Sequence, residues 1–149
     1  MSQDLEELRQ RHVGRLLLRA HRAFSVRAAE MLHDRGYPGV ALRHIDLLPH
    51  IDAAGTRATV LARRAGMTKQ GMGKLVAELE ERGLVERAPD PTDGRAMLVR
   101  FTGVGMDFLE VAVGVVQDLE REYLDILGEE RLRDLKESLD CIVEPPYER

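Results

Sequence analysis

The residues best suited to chemistry in this chain form a short run of hydrogen-bond donors and small residues, Thr68-Lys-Gln-Gly-Met-Gly-Lys74. An exposed helix of this kind can match the donors and acceptors on base edges in the major groove of DNA, and its first turn is the part that reaches them. Gln70 can pair with adenine through two hydrogen bonds, and Lys69 or Lys74 can bind guanine or a phosphate. Met72 can touch a thymine methyl, and Thr68 with the free N–H groups of the first turn suits a phosphate oxygen. The pattern predicts a DNA-reading helix.

Each lysine in this run has a plainer explanation, as part of the solvated face of an ordinary helix. Gly71 and Gly73 argue against a helix that serves stability alone, because each interior glycine costs about 1 kcal/mol relative to alanine. Two explanations for the glycines stay open. They allow either close approach to a sugar-phosphate wall or tight packing on the preceding helix.

A polar loop from Asp90 to Arg95 supplies the second predicted contact. An arginine on a narrow loop can enter the minor groove, where the negative potential favours it, and Asp93 can hold that arginine extended. Arg95 is therefore the predicted minor-groove residue. Its plainer alternative is a surface ion pair with Asp93 or Asp90, which contributes about 0–1 kcal/mol.

Charge is distributed unevenly along the chain, although the net charge is −4. Residues 54–77 contain no acidic residue and five basic ones: Arg57, Arg63, Arg64, Lys69 and Lys74. Residues 102–149 carry thirteen acidic residues against five basic ones. Phosphate contacts need such cations on one face, so Arg57 joins the predicted DNA contacts. Chance clustering in an arginine-rich chain is the alternative for the charge pattern taken alone.

Apolar spacing and helix-ending residues place the elements before this reading unit. One long helix is predicted from Asp4 to Arg35, ended by Gly36 and Pro38. A second helix is predicted over 40–51. Either Thr56 or Thr59 is expected to cap the short helix that contains Leu61, Ala62 and Ala65, and Gly66 should end it.

The reading helix should begin at its cap, Thr68, and end at Gly83. Two short strands, 84–85 and 97–101, then form a hairpin around the polar loop. Thr102 is expected to cap a fifth helix that ends at Gly128, and a sixth helix covers about 129–142. The last six residues, 144–149, are predicted to fray.

Composition limits the class of protein. A chain of 149 residues with 44% hydrophobic content predicts one domain over 1–149, mainly α with a small β-hairpin. The single cysteine, Cys141, excludes a disulfide within the chain and is expected to be a small buried hydrophobe, with a redox switch or an inter-chain disulfide as the alternative. No apolar run approaches the ~20 residues of a membrane span, so a cytoplasmic protein without membrane contact is expected.

Sequence motifs for other functions are missing. No nucleotide loop, nucleophile elbow or zinc-protease motif is present, so no catalytic residue, enzyme activity or cofactor is expected. The five histidines lie in the first third of the chain without paired spacing, so no metal site is expected. Only His44 together with a carboxylate remains conceivable as a ligand pair.

At this point the chain resembles the MarR family of winged-helix transcriptional regulators over nearly its whole length. The resemblance rests on Leu61-Ala62, Gly66, Thr68, Leu79, Gly83-Leu-Val-Glu-Arg87, Asp90-Pro91, Asp93, Arg95, Val99, Thr102 and Gly105. One position departs from the pattern, because many relatives carry a basic residue where this chain has Gly94. Minor-groove contact therefore depends on Arg95 alone.

The resemblance implies a winged helix-turn-helix over 40–102 and dimerisation helices over 1–36 and 103–143. It implies a homodimer bound to double-stranded DNA at a pseudo-palindrome, with half-sites ~34–36 Å apart. Repression of transcription is the commoner outcome in the family. The apolar stripes of the terminal helices fit a dimer, although a monomer's core explains them equally well.

Regulators of this family often release DNA when a small anionic or aromatic molecule binds between the dimer body and the reading unit. The residues predicted to line such a pocket are Arg19, Arg22, Phe24, His44 and Leu48. For each of them, simple packing or solvent exposure is the plainer explanation. A second function of another class is also open: a winged-helix interaction protein that binds protein or RNA instead of duplex DNA.

Overall fold

The computed structural model describes residues 3–143. The helices are α1 (Gln3–Arg11), α2 (Val13–Asp34), α3 (Leu42–Leu47), α4 (Ala58–Arg64), α5 (Lys69–Glu81), α6 (Gly103–Leu127) and α7 (Glu129–Val143). The strands are β1 (Thr56–Arg57), β2 (Val85–Asp90) and β3 (Asp93–Phe101), arranged as one antiparallel sheet in the order β1-β3-β2. This mainly helical fold with a small sheet confirms the predicted class.

The first helix is divided at His12, where a single helix over 4–35 was predicted. His12 has extended backbone angles, φ −65° and ψ 152°, and its Nδ1 accepts a hydrogen bond from the Arg15 amide at 3.2 Å. A side-chain acceptor at this position satisfies a free N–H of the new helix, which is the task of an N-cap residue. Helix α2 therefore begins as a separate element at Val13.

Helices α2 and α6 pack side by side and are joined by polar and aromatic contacts. Arg27 forms an ion pair with Glu122 at 2.7 Å, and the rings of Phe24 and Tyr123 lie 6.4 Å apart between centroids. The pKa of Glu122 is lowered, first by the hydrogen bond from Arg27. Helix α7 packs along α6 and has no buried residue.

The predicted second helix over 40–51 is shorter in the structure. Helix α3 ends at Leu47, and residues 48–50 continue as one turn of 3-10 helix that contains Pro49. Proline lacks the N–H that an α-helix would use at this position, so the tighter turn replaces the last α-turn.

A compact core beneath α5 determines which side of that helix can face outward. It is built from α2, α3, α4, α5, the sheet and α6, and its fully enclosed side chains include Leu32, Leu47, Leu61, Met72, Val76, Leu79, Val99, Phe108 and Leu119. Gly66 has φ +63°, a left-handed conformation that favours glycine, and it follows the end of α4 as predicted.

The sheet has one strand more than the predicted hairpin. Strand β1 pairs through Thr56 with Val99 and through Arg57 with Leu98. Thr56 is buried, and its Oγ1 contacts Asp52, so neither Thr56 nor Thr59 caps α4. Strands β2 and β3 also extend further than predicted, because pairing continues to Asp90 opposite Asp93.

A close junction joins the sheet to α6. Thr102 caps this helix by accepting a hydrogen bond from the Gly105 amide at 2.9 Å, as predicted. A Cβ at Gly105 would lie 1.8 Å from the Leu84 carbonyl oxygen, so only glycine fits there. None of the helices in the range 3–143 is both long enough and apolar enough to span a membrane.

Candidate nucleic-acid interface

Helix α5 has one buried side and one exposed side. Its buried residues follow the spacing of a single helix face: Met72, Leu75, Val76 and Leu79. Lys69, Gln70 and Lys74 are exposed on the other side. Thr68 is the cap predicted for this helix and accepts a hydrogen bond from the Gly71 amide at 3.0 Å. Two cations and one amide therefore project together from the start of α5.

Met72 was predicted to touch a thymine methyl, and this prediction is wrong. Its side chain is fully buried, with 0% of its surface exposed. A buried methionine fills the core beneath the helix and has no access to a groove. The spacing of Met72, Leu75, Val76 and Leu79 was the signal that could have assigned it to the core.

The structure distinguishes the two explanations for the glycines of α5. A Cβ on Gly73 would meet no atom within 4 Å, so packing does not require glycine at this position. A Cβ on Gly71 would meet its own cap, Thr68 Oγ1, at 3.1 Å. Gly73 follows Gln70 by three residues and therefore lies on the same side of the helix. Its open surroundings favour close approach of another molecule.

A buried histidine holds α5 against α3. His44 has no exposed surface, its Nδ1 accepts from the Ala41 amide at 2.9 Å, and its Nε2 lies 2.9 Å from Glu78 Oε2. Because Nδ1 is an acceptor here, Nε2 carries the proton and donates it to Glu78. Burial lowers the pKa of His44, with the nearby charges of Arg43 and Arg82 adding to this effect and Glu78 opposing it.

The wing is the hairpin of β2 and β3, with Pro91 and Thr92 at its turn. Arg95 is exposed and, within 3–143, its side chain has no ion-pair partner. Asp93 was predicted to hold that side chain extended. In the structure, Asp93 Oδ1 instead accepts from the Arg95 backbone amide at 3.1 Å. The arginine side chain is therefore left available for another molecule.

Arg57 was predicted as a free cation for DNA, and the structure engages it within the protein. Its Nη2 lies 2.6 Å from Asp90 Oδ2, and its Nε donates to the same oxygen at 2.8 Å. Asp90 itself is only 7% exposed. Sequence spacing gives no sign of this pair, because it joins residues 33 positions apart through the pairing of the sheet.

The five residues predicted to line an effector pocket are not brought together. Phe24 borders an apolar cavity of about 680 Å³ between α2, α6 and α7, which Tyr123 and Leu135 also line. Arg19, Arg22, His44 and Leu48 do not line this cavity. Arg19 and Arg22 are exposed on α2, whereas His44 and Leu48 are buried.

The remaining predictions concern Cys141 and a possible metal site. Cys141 was expected to be buried, and the structure exposes it on α7. Among residues 3–143, no three side chains of the metal-binding types lie close enough to hold an ion. His44 and Glu78 do meet, but both ring nitrogens of the histidine are already used in hydrogen bonds.

The model of the MarR family matches residues 39–96, which include α3, α4, α5, β1 and most of the wing. The transcriptional regulator HosA of Escherichia coli O111:H- is 35% identical over 81 residues. That match covers 54% of this chain and 60% of HosA, so this chain spans less than two thirds of the length of that relative.

Solved structures extend the likeness to the terminal helices. A MarR-family transcriptional regulator from Rhodococcus sp. RHA1 is 26% identical, with a TM-score of 0.73 over 89% of this chain and 93% of that one. CouR from Rhodococcus jostii RHA1, crystallised with p-coumaroyl-CoA, is 27% identical, with a TM-score of 0.73 over 97% of both chains.

The family match and the shared architecture agree with the resemblance found in the sequence. HosA and the Rhodococcus sp. RHA1 protein are named as transcriptional regulators, which supports the prediction that this chain is not an enzyme. The chain is similar to the MarR family over residues 39–96, and it shares the fold of a MarR-family structure over most of its length.

Proposed function

We propose that this protein is a sequence-specific DNA-binding transcriptional regulator. It acts as a homodimer on a pseudo-palindromic operator and represses transcription there. The observation that carries the proposal is the division of α5, where Lys69, Gln70 and Lys74 project together from a helix whose opposite side is locked into the core. A helix held in this way can enter the major groove without loss of its own packing.

The wing supplies the second contact of the proposed complex. Arg95 is exposed near the turn and has no acidic side chain paired with it in the range 3–143, so its charge is available for the minor groove. Gly94 beside it adds no second cation. The expected complex therefore has base contacts from α5 and one arginine contact from each wing.

The proposed dimer interface consists of the terminal helices, within 1–36 and 103–143. Large apolar side chains are exposed on these helices, and packing against a second copy of the chain would remove apolar surface from water. On α1 and α2 they are Leu5, Leu8, Val13, Leu16, Leu17, Leu18 and Val26, and on α6 and α7 they are Val104, Met106, Val113, Val116, Leu124, Ile126, Leu135, Ile142 and Val143. A second copy of the chain packed on these helices would place two α5 helices in successive major grooves, ~34–36 Å apart.

In this proposal the protein represses transcription by occupying the operator, because a dimer that spans two grooves excludes other proteins from the same DNA. Release by a small anionic or aromatic ligand is part of the proposal. CouR was crystallised with p-coumaroyl-CoA, and the cavity beside Phe24 and Tyr123 would accept an aromatic ring. A ligand there would act only through different affinities for the DNA-bound and free arrangements.

The test is selection of duplexes from a random-sequence pool, followed by affinity measurement at fixed salt concentration. We expect a palindromic consensus and two protein chains per duplex. Changing Lys69, Gln70, Lys74 and Arg95 together to alanine should abolish selective binding while the variant stays folded and dimeric. Removing two exposed cations outside both proposed interfaces, by Arg82→Ala and Arg87→Ala, is the control and should leave selection unchanged.

Selective DNA binding by the variant with all four alanine substitutions would contradict the proposal. Capture of RNA or of a protein partner that depends on the same four residues would then favour the interaction-protein alternative. A reporter gene placed downstream of the selected sequence distinguishes repression from activation. Higher reporter expression when the protein is present would contradict repression.

A further inference from the structure

The outer half of the wing is weakly supported by the sheet itself. Strand β1 reaches only Val99 and Leu98 of β3, so the pairs nearer the turn belong to a two-stranded ribbon. The register is irregular between Pro89 and Asp90, and proline cannot donate a ladder hydrogen bond. Two-stranded ribbons are marginally stable in water, so the turn needs another attachment.

Arg57 supplies that attachment from the end of β1. Its Nη2 and Nε both contact Asp90 Oδ2, at 2.6 Å and 2.8 Å. The other oxygen, Oδ1, accepts from the backbone amide of Thr92 at 2.8 Å and from its hydroxyl at 2.7 Å. One nearly buried carboxylate therefore joins the body of the protein to the turn of the wing.

Asp93 connects these contacts to Arg95, the arginine proposed for the minor groove. Asp93 Oδ2 lies 3.8 Å from Arg57 Nη2, and its Oδ1 accepts from the Arg95 amide at 3.1 Å. Hydrogen bonds from the Thr92 hydroxyl and amide, followed by the Arg57 contact, lower the pKa of Asp90 from 3.8 to about 2. The carboxylate thus stays ionised at every pH used for DNA binding.

We propose that Arg57 is a positioning residue that fastens the wing through Asp90 and so directs Arg95 toward the minor groove. This role differs from a phosphate contact by Arg57 itself. For its effect on DNA, the inference rests on the proposed function. The attachment itself concerns the free protein and can be measured without DNA.

The two roles predict different coupling between residues. If Arg57 acts through the wing, its removal matters only while Arg95 makes its contact, so the two effects do not add. If Arg57 binds phosphate directly, the effects add, and removal of the negative Asp90 leaves affinity equal or higher. Lysine at position 57 would then serve as well as arginine, whereas attachment through two nitrogens needs the guanidinium.

The experiment measures affinity for a labelled duplex that the unaltered protein selects from a random-sequence pool. We expect Arg95→Ala to weaken binding roughly tenfold. Arg57→Gln and Asp90→Asn should each weaken it by a similar factor, and Arg57→Lys should recover part of the loss. Arg57→Gln added to Arg95→Ala should change affinity by less than about twofold. Thermal unfolding of each variant verifies that the chain is folded.

Hydrogen exchange of the free protein is the second readout. We expect the Thr92 and Arg95 amides to exchange several-fold faster in Arg57→Gln and in Asp90→Asn, with Val99 in the three-stranded part unchanged. Additive affinity losses, full function of Arg57→Lys, or unchanged exchange at the turn would each overturn the inference. Failure of the unaltered protein to select any duplex would overturn the proposed function, and the exchange result would still decide the attachment.

Discussion

Gly73→Ala should change stability and DNA affinity in opposite directions. The new Cβ would meet no protein atom within 4 Å, so no steric cost offsets the higher helix propensity of alanine. Alanine in a helix interior gains about 1 kcal/mol over glycine, which in a domain of this size raises the midpoint of thermal unfolding by about 2–4 °C. The free protein should therefore be more stable.

The same methyl group should hinder binding. Gly73 is half-buried on α5, three residues after Gln70 and four before Ala77, so these three residues form one row along the helix, with only small residues after Gln70. A helix that approaches the groove wall through such residues is held away by an added methyl. We expect affinity for the selected duplex to fall roughly tenfold, as for one lost base contact.

Calorimetry and fluorescence anisotropy provide the two measurements for Gly73→Ala. Gly114→Ala in α6 is the control, since its Cβ would meet only a terminal nitrogen of Arg35, at 3.3 Å, and Gly114 lies far along the chain from the reading unit. That variant should leave DNA affinity unchanged. Undiminished affinity of Gly73→Ala would refute close approach at this position, and a lower unfolding midpoint would show that packing requires the glycine.

Three further outcomes follow from the geometry of the site and its supports. The pKa of His44 is lowered in the folded protein, so the unfolded chain takes up a proton first as pH falls below about 6.5, and the free energy of unfolding should decrease there. His44→Gln keeps a donor for Glu78, and denaturant titrations across this pH range should show a smaller decrease; an equal decrease would contradict the assignment. Gly105→Ala should destabilise the fold by about 1–3 kcal/mol or more because its Cβ overlaps a backbone carbonyl, whereas Gly103→Ala, which meets open space, should be nearly neutral in the same urea titration. Gln70→Ala should relax sequence choice in the half-site core, while Arg95→Ala should weaken binding at A/T-rich flanks; repeated selection with each variant tests this, and equal losses on all sequences would argue against both roles.

The ends of most elements could be predicted because they depend on local chemistry. Thr68 and Thr102 cap their helices with their own hydroxyl groups, and Gly66, Gly83 and Gly128 adopt positive φ where helices stop. Such signals need only the neighbouring residues. The position of α5 and of the hairpin was therefore predicted from the sequence, although the strands are longer than predicted.

Features that depend on distant parts of the chain were not predictable in the same way. Strand β1 is two residues long and exists because Thr56 and Arg57 meet β3, more than forty residues later. The Arg57–Asp90 pair needs that pairing before the two side chains can approach. His12 also divides a continuous apolar stripe, and neither glycine nor proline stands at the dividing position itself.

Sites that require two separate elements were predicted least well. Arg19, Arg22, Phe24, His44 and Leu48 were grouped by residue type, and no local rule gives the distance from α2 to α3. Met72 differs from these cases, because the helix period alone places it with Leu75, Val76 and Leu79. A charge or donor pattern must be checked against the helix phase before any side chain is assigned to a groove.

The separation of the two sides of α5 has a consequence for how operator preference can change. Lys69, Gln70 and Lys74 take no part in the core, so, if α5 reads DNA as proposed, substitutions there would alter which bases are favoured at little thermodynamic cost to the scaffold. Gene duplication followed by a few such replacements would give a regulator with a new target and an intact framework. The same freedom makes these three positions the natural choice for a combinatorial library aimed at retargeting the protein.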